Sequence, residues 1–216
     1  MLAYRYPLIA REGWLWIAVF AVPALIVSLR YGTEALPLWL PVLVLAFVFR
    51  DPKRKVPASP LGIVSPVDGR VVKAEAVYDG YLKRDVVCLS VEMGWFSIWS
   101  VRSPMEGRLM EQWLAAPRKI GARAQETFTS GKTYAQWIQS DEHDDVVMVV
   151  DSTTLSPRPR CYAQSGQRIG QGQRCGFIHF GARVDVLVPA TARIQARVGD
   201  KVVAGESILA TLVHKA

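Results

Sequence analysis

The sequence predicts a mainly β chain, β-rich α+β in class, in which a hydrophobic helical hairpin precedes a domain of short strands. Three observations carry that prediction: two apolar runs near the N-terminus, a series of Val-rich segments punctuated by Gly and Pro from Ile63 onward, and a motif written twice, SPVDGRVV from Ser65 and SPMEGRLM from Ser103. The chain has 216 residues, half of them hydrophobic, enough for one good core and a small accessory segment. The change in texture places a membrane-associated hairpin with its basic linker at residues 1–56 and the β domain at 57–216. Cys88, Cys161 and Cys175 are an odd set without ligand-like spacing, which disfavours a disulfide framework and a structural zinc site and fits a reducing compartment. A net charge of +7 points to an anionic partner, either nucleic acid or a phospholipid surface.

The first element decides between those partners. Trp14 to Leu29 and Leu36 to Phe49 carry no charge, and only Arg30 and Glu34 are charged between them. A full span needs about 20 apolar residues, so each run is somewhat short and either crosses a thinned bilayer or dips into it. Pro23, Pro37 and Pro41 are expected to bend the helices, which favours a shallow insertion. The competing arrangement is a buried helical pair in a soluble core. Arg5 and Arg11 precede the first run and Arg50, Lys53, Arg54 and Lys55 follow the second, so the positive-inside tendency puts both ends in the cytoplasm. The expected location is therefore the inner membrane, with the β domain on its cytoplasmic side. The expected partner is an anionic phospholipid surface rather than nucleic acid, with the basic run after Phe49 at the headgroups.

Next come the strand candidates Val71-Val72, Val86-Val87, Val146 to Val150, Val184 to Val188 and Val202-Val203, β-branched runs bounded by turn residues. The stretch from Met110 to Ala124 reads as helical or irregular, and Thr127 to Asp145, polar and Gly-containing, as an exposed loop. Within it, Asp141, Glu142, His143, Asp144 and Asp145 read as a solvated acidic turn, and no metal site is expected.

The repeated motif follows a rule. Ser-Pro-x-acidic-Gly closes a turn with a fixed Pro φ, uses Gly where ordinary side chains do not fit, and restarts a strand. A weaker third copy is VPATARIQ from Val188, and GQRIGQGQ from Gly166 matches GDKVVAGE from Gly199. Duplicated hairpins of this kind suggest two similar halves closed into a barrel-sandwich-like domain, an arrangement that resembles the biotinyl and lipoyl modules.

Five segments in order carry a more specific resemblance: FRDPKRKVP (Phe49–Pro57), GIVSPVDGRVV (Gly62–Val72), SVRSPMEG (Ser100–Gly107), CGFIHFGARVDVLVP (Cys175–Pro189) and VGDKVVAGE (Val198–Glu206). From hairpin to C-terminus the chain is similar to the short bacterial and archaeal phosphatidylserine decarboxylase proenzymes. The resemblance implies enzymes of phosphatidylethanolamine metabolism that cut their own chain at a Gly-Ser bond, leave a pyruvoyl group on the new N-terminus, and need no dissociable cofactor. It also implies an Asp and a His assisting the serine.

Asp68 occupies the acidic position, and Glu106 in the second copy is expected to be structural. The His position falls on Trp99, and the Gly-Ser position on Gly181-Ala182. No Gly-Ser dipeptide occurs anywhere in the chain. An indole takes up no proton and a methyl group carries no nucleophile. The resemblance therefore implies a pseudoenzyme with the pyruvoyl site lost, acting in regulation or scaffolding of aminophospholipid synthesis. Trp95, Phe96 and Trp99 are expected at a lipid-facing groove, with Arg183 meeting a phosphate. Phosphatidylserine, a second copy or an active homologue are the expected partners. His179, three positions before Ala182, is expected on the opposite strand face as an ordinary polar residue. Two alternatives stand: an active decarboxylase whose natural residue 182 is Ser, against which Trp99 argues, and a barrel-sandwich adaptor without lipid substrate.

Overall fold

The computed structural model describes residues 8–94, 97–114, 120, 133–152, 160–179 and 181–213. It separates into two compact units, Met1–Lys53 and Arg54–Ala216, a division three residues before the one the sequence suggests.

The first unit is a helical hairpin. Helix α1 (Arg11–Tyr31) leads through a 3-10 segment, Gly32–Leu38, into helix α2 (Trp39–Val48). The two arms are tied at both ends. Ala10 N donates to Phe49 O at 2.8 Å and Asp51 N to Leu8 O at 2.7 Å, while at the other end Trp39 Nε1 donates to Ser28 Oγ at 3.1 Å. Gly13 lets the arms close, because a Cβ there would overlap the Phe49 side chain. The prolines interrupt less than expected: α1 runs on through Pro23, and Pro41 sits in the first turn of α2, where a missing N–H costs little.

The second unit is mainly β, as the sequence predicts. Its strands are β1 (Gly62–Val64), β2 (Gly69–Asp79), β3 (Arg84–Glu92), β4 (Ser100–Arg102), β5 (Gly107–Leu114), β6 (Thr133–Gln139) and β7 (Asp145–Ser152). They continue with β8 (Arg160–Cys161), β9 (Arg168–Ile169), β10 (Arg174–Phe177), β11 (Ala182–Pro189), β12 (Arg193–Ile194), β13 (Lys201–Val202) and β14 (Ile208–Thr211). The large sheet runs β13-β2-β3-β11-β7-β6-β5-β9, flanked by the small sheets β1-β14-β12 and β4-β10-β8. Every expected Val-rich run lies on a strand except Val203, one residue past β13. The central strand β11 is covered on both faces: Leu187 packs with Val86, Cys88, Ala135, Val147 and Val149, while Val184, Val186 and Val188 point the other way into a second buried layer.

Two expectations are corrected. Met110 to Leu114 is strand, not helix, because a bulge between Leu109 and Glu111 breaks the alternation that would have announced it. Thr133–Gln139 is a buried interior strand rather than an exposed loop. Its polar side chains are satisfied inside, with Tyr134 Oη donating to Gln136 Oε1 at 3.0 Å and Gln136 Nε2 directed at Cys175 Sγ at 3.8 Å. Residues 127–132 and 115–119 lie outside the described residues.

The repeats fold as two equivalent halves. Ser65 Oγ donates to Val67 O and Ser103 Oγ to Met105 O, both at 2.7 Å. Val64 N donates to Pro104 O and, reciprocally, Arg102 N to Pro66 O, both at 2.8 Å. Gly205 N reaches Ser65 O at 2.8 Å as Gly172 N reaches Ser103 O at 2.9 Å, and both glycines have positive φ, 72° and 67°. The β2–β3 bulge between Val71 and Lys73 has its counterpart in the β5–β6 bulge. The large sheet reads the same from either edge, so the relation exchanges β11 with β7 and carries Gly181-Ala182 onto His143-Asp144. Met93 N donates to Ala182 O at 3.0 Å where Ser140 N donates to Asp144 O at 2.9 Å, and φ is positive at Gly181 (78°) and at His143 (66°).

A Cβ on Gly69 would overlap the Glu92 carbonyl oxygen, and one on Gly107 the Gln139 carbonyl oxygen. Gly69→Ala and Gly107→Ala are each expected to cost about 1–3 kcal/mol, similar to one another, measured by urea unfolding of the detergent-solubilised chain. At the far end of β2, Asp79 is fully buried, with Oδ1 accepting from Tyr81 N at 2.8 Å. Burial raises its carboxyl above the ordinary aspartate range, against the Tyr81 and Leu82 N–H groups and the Arg84 guanidinium. A carboxyl that holds its proton more tightly when folded lowers stability as pH rises from the ordinary range through the raised value. Asp79→Asn is expected to flatten that decline in unfolding midpoints measured across pH; parallel curves for the two proteins would contradict it.

Candidate functional site

Four strand termini meet at one end of the large sheet. Arg70 at the start of β2 stands opposite Glu92 at the end of β3, Glu92 opposite Arg183, and Ala182 opposite Ser152 at the end of β7. Asp68 precedes β2, so its backbone lies about 10 Å, two strand spacings, from that of Ala182. The turn that presents it is fixed by the Ser65 hydroxyl and by the close approach of Gly69 to β3.

Asp68 is committed to two partners. Oδ1 accepts from Ala204 N at 2.7 Å, and Oδ2 accepts from Arg54 Nη2 at 2.6 Å. The Arg54 and Asp68 side chains are 13% and 20% exposed. Arg54 therefore turns inward, and the expectation that the whole basic run lies at lipid headgroups is corrected for this residue. Sequence reasoning missed the pair because nothing local marks an arginine as the partner of a carboxylate fourteen positions on. The twofold mate of Asp68 is different in kind: Glu106 pairs with Arg168 at 3.0 Å on the surface.

Trp99 enters from the small sheet. Its carbonyl accepts from Ile178 N at 2.8 Å, its side chain is buried, and its ring meets Phe177 edge-on at 6.2 Å and His179 at 5.7 Å. The strand from Arg174 ends at Phe177 and the next begins at Ala182, so His179 lies on neither. The alternation that would place it opposite Ala182 does not apply. His179 instead packs its ring on Phe177, centroids 4.9 Å apart, and on Trp99.

Ala182 is 5% exposed, and its methyl occupies the position of any side-chain chemistry here. It shares a face with Val184 and Val186, whereas Arg183 points to the other face with Asp185. There Arg183 Nε donates to Asp185 Oδ1 at 3.2 Å and Nη2 donates to Ser90 Oγ at 3.0 Å. Arg183 is therefore directed to the face opposite the Ala182 methyl group. Trp95 and Phe96 lie outside the described residues. Of the nearby hydroxyls, Ser103 is bound to its own turn and Ser97 Oγ accepts from Gly94 N at 3.0 Å. Ser152, which the sequence did not single out, is buried opposite Ala182.

Asp68→Ala would strand the half-buried Arg54 guanidinium and the Ala204 N–H, an expected loss of about 1–3 kcal/mol of unfolding free energy. Asp68→Asn keeps an acceptor for Ala204 and is expected to cost less, a ranking that denaturant midpoints of the two variants check.

The family model for phosphatidylserine decarboxylase matches residues 43–210. A phosphatidylserine decarboxylase proenzyme of Aromatoleum aromaticum is 40% identical over 210 residues, 97% of this chain and 98% of that protein. The proenzymes of Nitrosomonas eutropha and Burkholderia multivorans are 38% and 37% identical, over 96% and 97% of this chain and 96% and 98% of their own lengths. The matched region spans both repeats, Asp68, Trp99 and the Gly181-Ala182 corner, and the chain belongs to the phosphatidylserine decarboxylase family.

Proposed function

We propose that this protein is a membrane-attached, uncleaved homologue of phosphatidylserine decarboxylase that binds anionic aminophospholipid and regulates or scaffolds aminophospholipid synthesis without catalysing the decarboxylation. The observation that carries the reading is the methyl side chain of Ala182 at the corner where the family resemblance places the self-cleaving serine. A pyruvoyl group forms by attack of a side-chain oxygen on the preceding carbonyl, elimination of that oxygen from Cβ to leave dehydroalanine, and hydrolysis of that enamine by water with loss of ammonia. Ala182 has no oxygen to attack with or to eliminate, so the residues here do not fit the group and no step runs through it.

The proton acceptor is replaced as well. Trp99 stands at the family's His position, and its indole is a donor only. Among the described residues the imidazole packed against it is that of His179, tilted by 52° to the Trp99 ring and edge-to-face with Phe177 at 77°. Asp68 is held by Arg54 and the Ala204 N–H. Attachment to lipid is supported by the apolar hairpin, long and apolar enough to cross a membrane, and by the net positive charge. The soluble unit is read on the cytoplasmic side of the inner membrane, with phosphatidylserine as the lipid and a second copy or an active homologue as the protein partner.

Intact mass of the purified natural protein tests the central point. The expected result is a single 24.0 kDa chain. A C-terminal fragment beginning at residue 182 with a ketone cap, or carbon dioxide released from phosphatidylserine, would overturn the reading. Ala182→Ser alone is expected to remain uncleaved, while Ala182→Ser combined with Trp99→His is expected to restore cleavage after Gly181. For the lipid, sedimentation with vesicles containing phosphatidylserine should exceed that with vesicles of equal charge made from phosphatidylglycerol. Equal binding would remove headgroup recognition from the proposal.

A further inference from the structure

Membrane attachment in the reading above leaves open how the hairpin meets the bilayer, and the first unit carries that question further. A helix lying in one leaflet needs a polar face toward water and headgroups. Helix α1 has none between Gly13 and Leu29. Its one polar side chain there, Ser28, is turned inward, donating to Ala24 O at 2.7 Å and accepting from Trp39. Trp14, Leu15, Trp16, Val19, Phe20, Val22, Leu25, Ile26 and Leu29 are all exposed. At 3.6 residues per turn they cover about two thirds of the helix circumference, and the remaining arc is closed by α2 through Gly13 and Ala24. The second arm repeats this composition: α2 has no polar side chain after Trp39, and Leu40, Leu43, Val44 and Phe47 are exposed.

Length supplies the second argument. Helix α1, with 21 residues, is about 31 Å long at 1.5 Å per residue, enough for the hydrocarbon core of about 30 Å. Outside the turn that ends at Leu36, the second arm is Pro37, Leu38 and the ten residues of α2, about 19 Å, so it crosses where the bilayer thins around it.

Charge placement is the third argument. The hairpin carries Arg11, Glu12 and Arg50 at its open end and Arg30 and Glu34 at its closed end, with nothing charged between. A shallow insertion would leave Arg30 and Glu34 in hydrocarbon, where ionised groups are costly. Full insertion returns both to water. Aromatic side chains that favour the interface stand at each end, Trp14 and Trp16 at the open one and Tyr31 and Trp39 at the closed one.

We propose that the N-terminal hairpin crosses the bilayer twice, with the turn from Arg30 to Leu36 exposed on the face opposite the β unit. This rests on the membrane attachment proposed above, and the test separates the two. Full-length protein in the membranes of expressing cells is first extracted with alkaline carbonate; recovery in the supernatant overturns the attachment itself. For protein that stays in the pellet, Thr33→Cys, Tyr31→Cys and, as a reporter on the β unit, Val198→Cys are treated with a membrane-impermeant maleimide in right-side-out and inverted vesicles. Labelling above that of the parent chain, whose Cys88 and Cys175 are buried, is the readout. The expected result is labelling of both turn cysteines from the face opposite to Val198→Cys. Turn cysteines labelled from the same face as Val198→Cys, or from neither face, overturn the double crossing and leave the attachment standing.

Discussion

Two glycines set against two carbonyl oxygens fix this architecture. Gly69 and Gly107 each admit the backbone of the neighbouring strand into space that any side chain would fill, and each follows a turn closed by a serine hydroxyl. With those contacts in place, the reciprocal bonds between Val64 and Pro104 and between Arg102 and Pro66 lock the two halves together at their seam. The bulges, the short flanking strands and the Gly172 and Gly205 turns then repeat on both sides. A duplicated sequence thus becomes a duplicated geometry through close backbone packing rather than through similar side chains.

On that symmetrical frame the differences are informative. Asp68 is drawn inward by Arg54 and Ala204, whereas its mate Glu106 stays at the surface with Arg168. The acidic residue of the motif is needed by neither turn for its shape, since the serine and the glycine already provide it. Its identity in each copy is free to answer to what lies nearby.

Much of the fold was legible from residues alone because β-branched runs buried on both faces leave little else to be; β7 and β11 are the clearest cases. The hidden parts were hidden for physical reasons. Thr133 and Gln136 look solvated in sequence, yet both are buried in β6, where Tyr134 and Cys175 partner Gln136. Met110 sits on a bulge, where a strand's two-residue rhythm fails. At the candidate site, Asp68, Trp99 and Ala182 were singled out by the family resemblance. The Arg54 contact, the face on which Arg183 lies and the packing of His179 on Trp99 are products of tertiary placement, which no local pattern encodes.

The corner at residue 182 asks only for a left-handed residue before it and a carbonyl to receive Met93 N, and its mate at His143-Asp144 meets the same two demands with wholly unrelated side chains. Shape and reactivity are therefore separable at this point of the scaffold. Neither demand involves the side chain of residue 182, so the backbone of the corner takes the same course whichever small residue stands there.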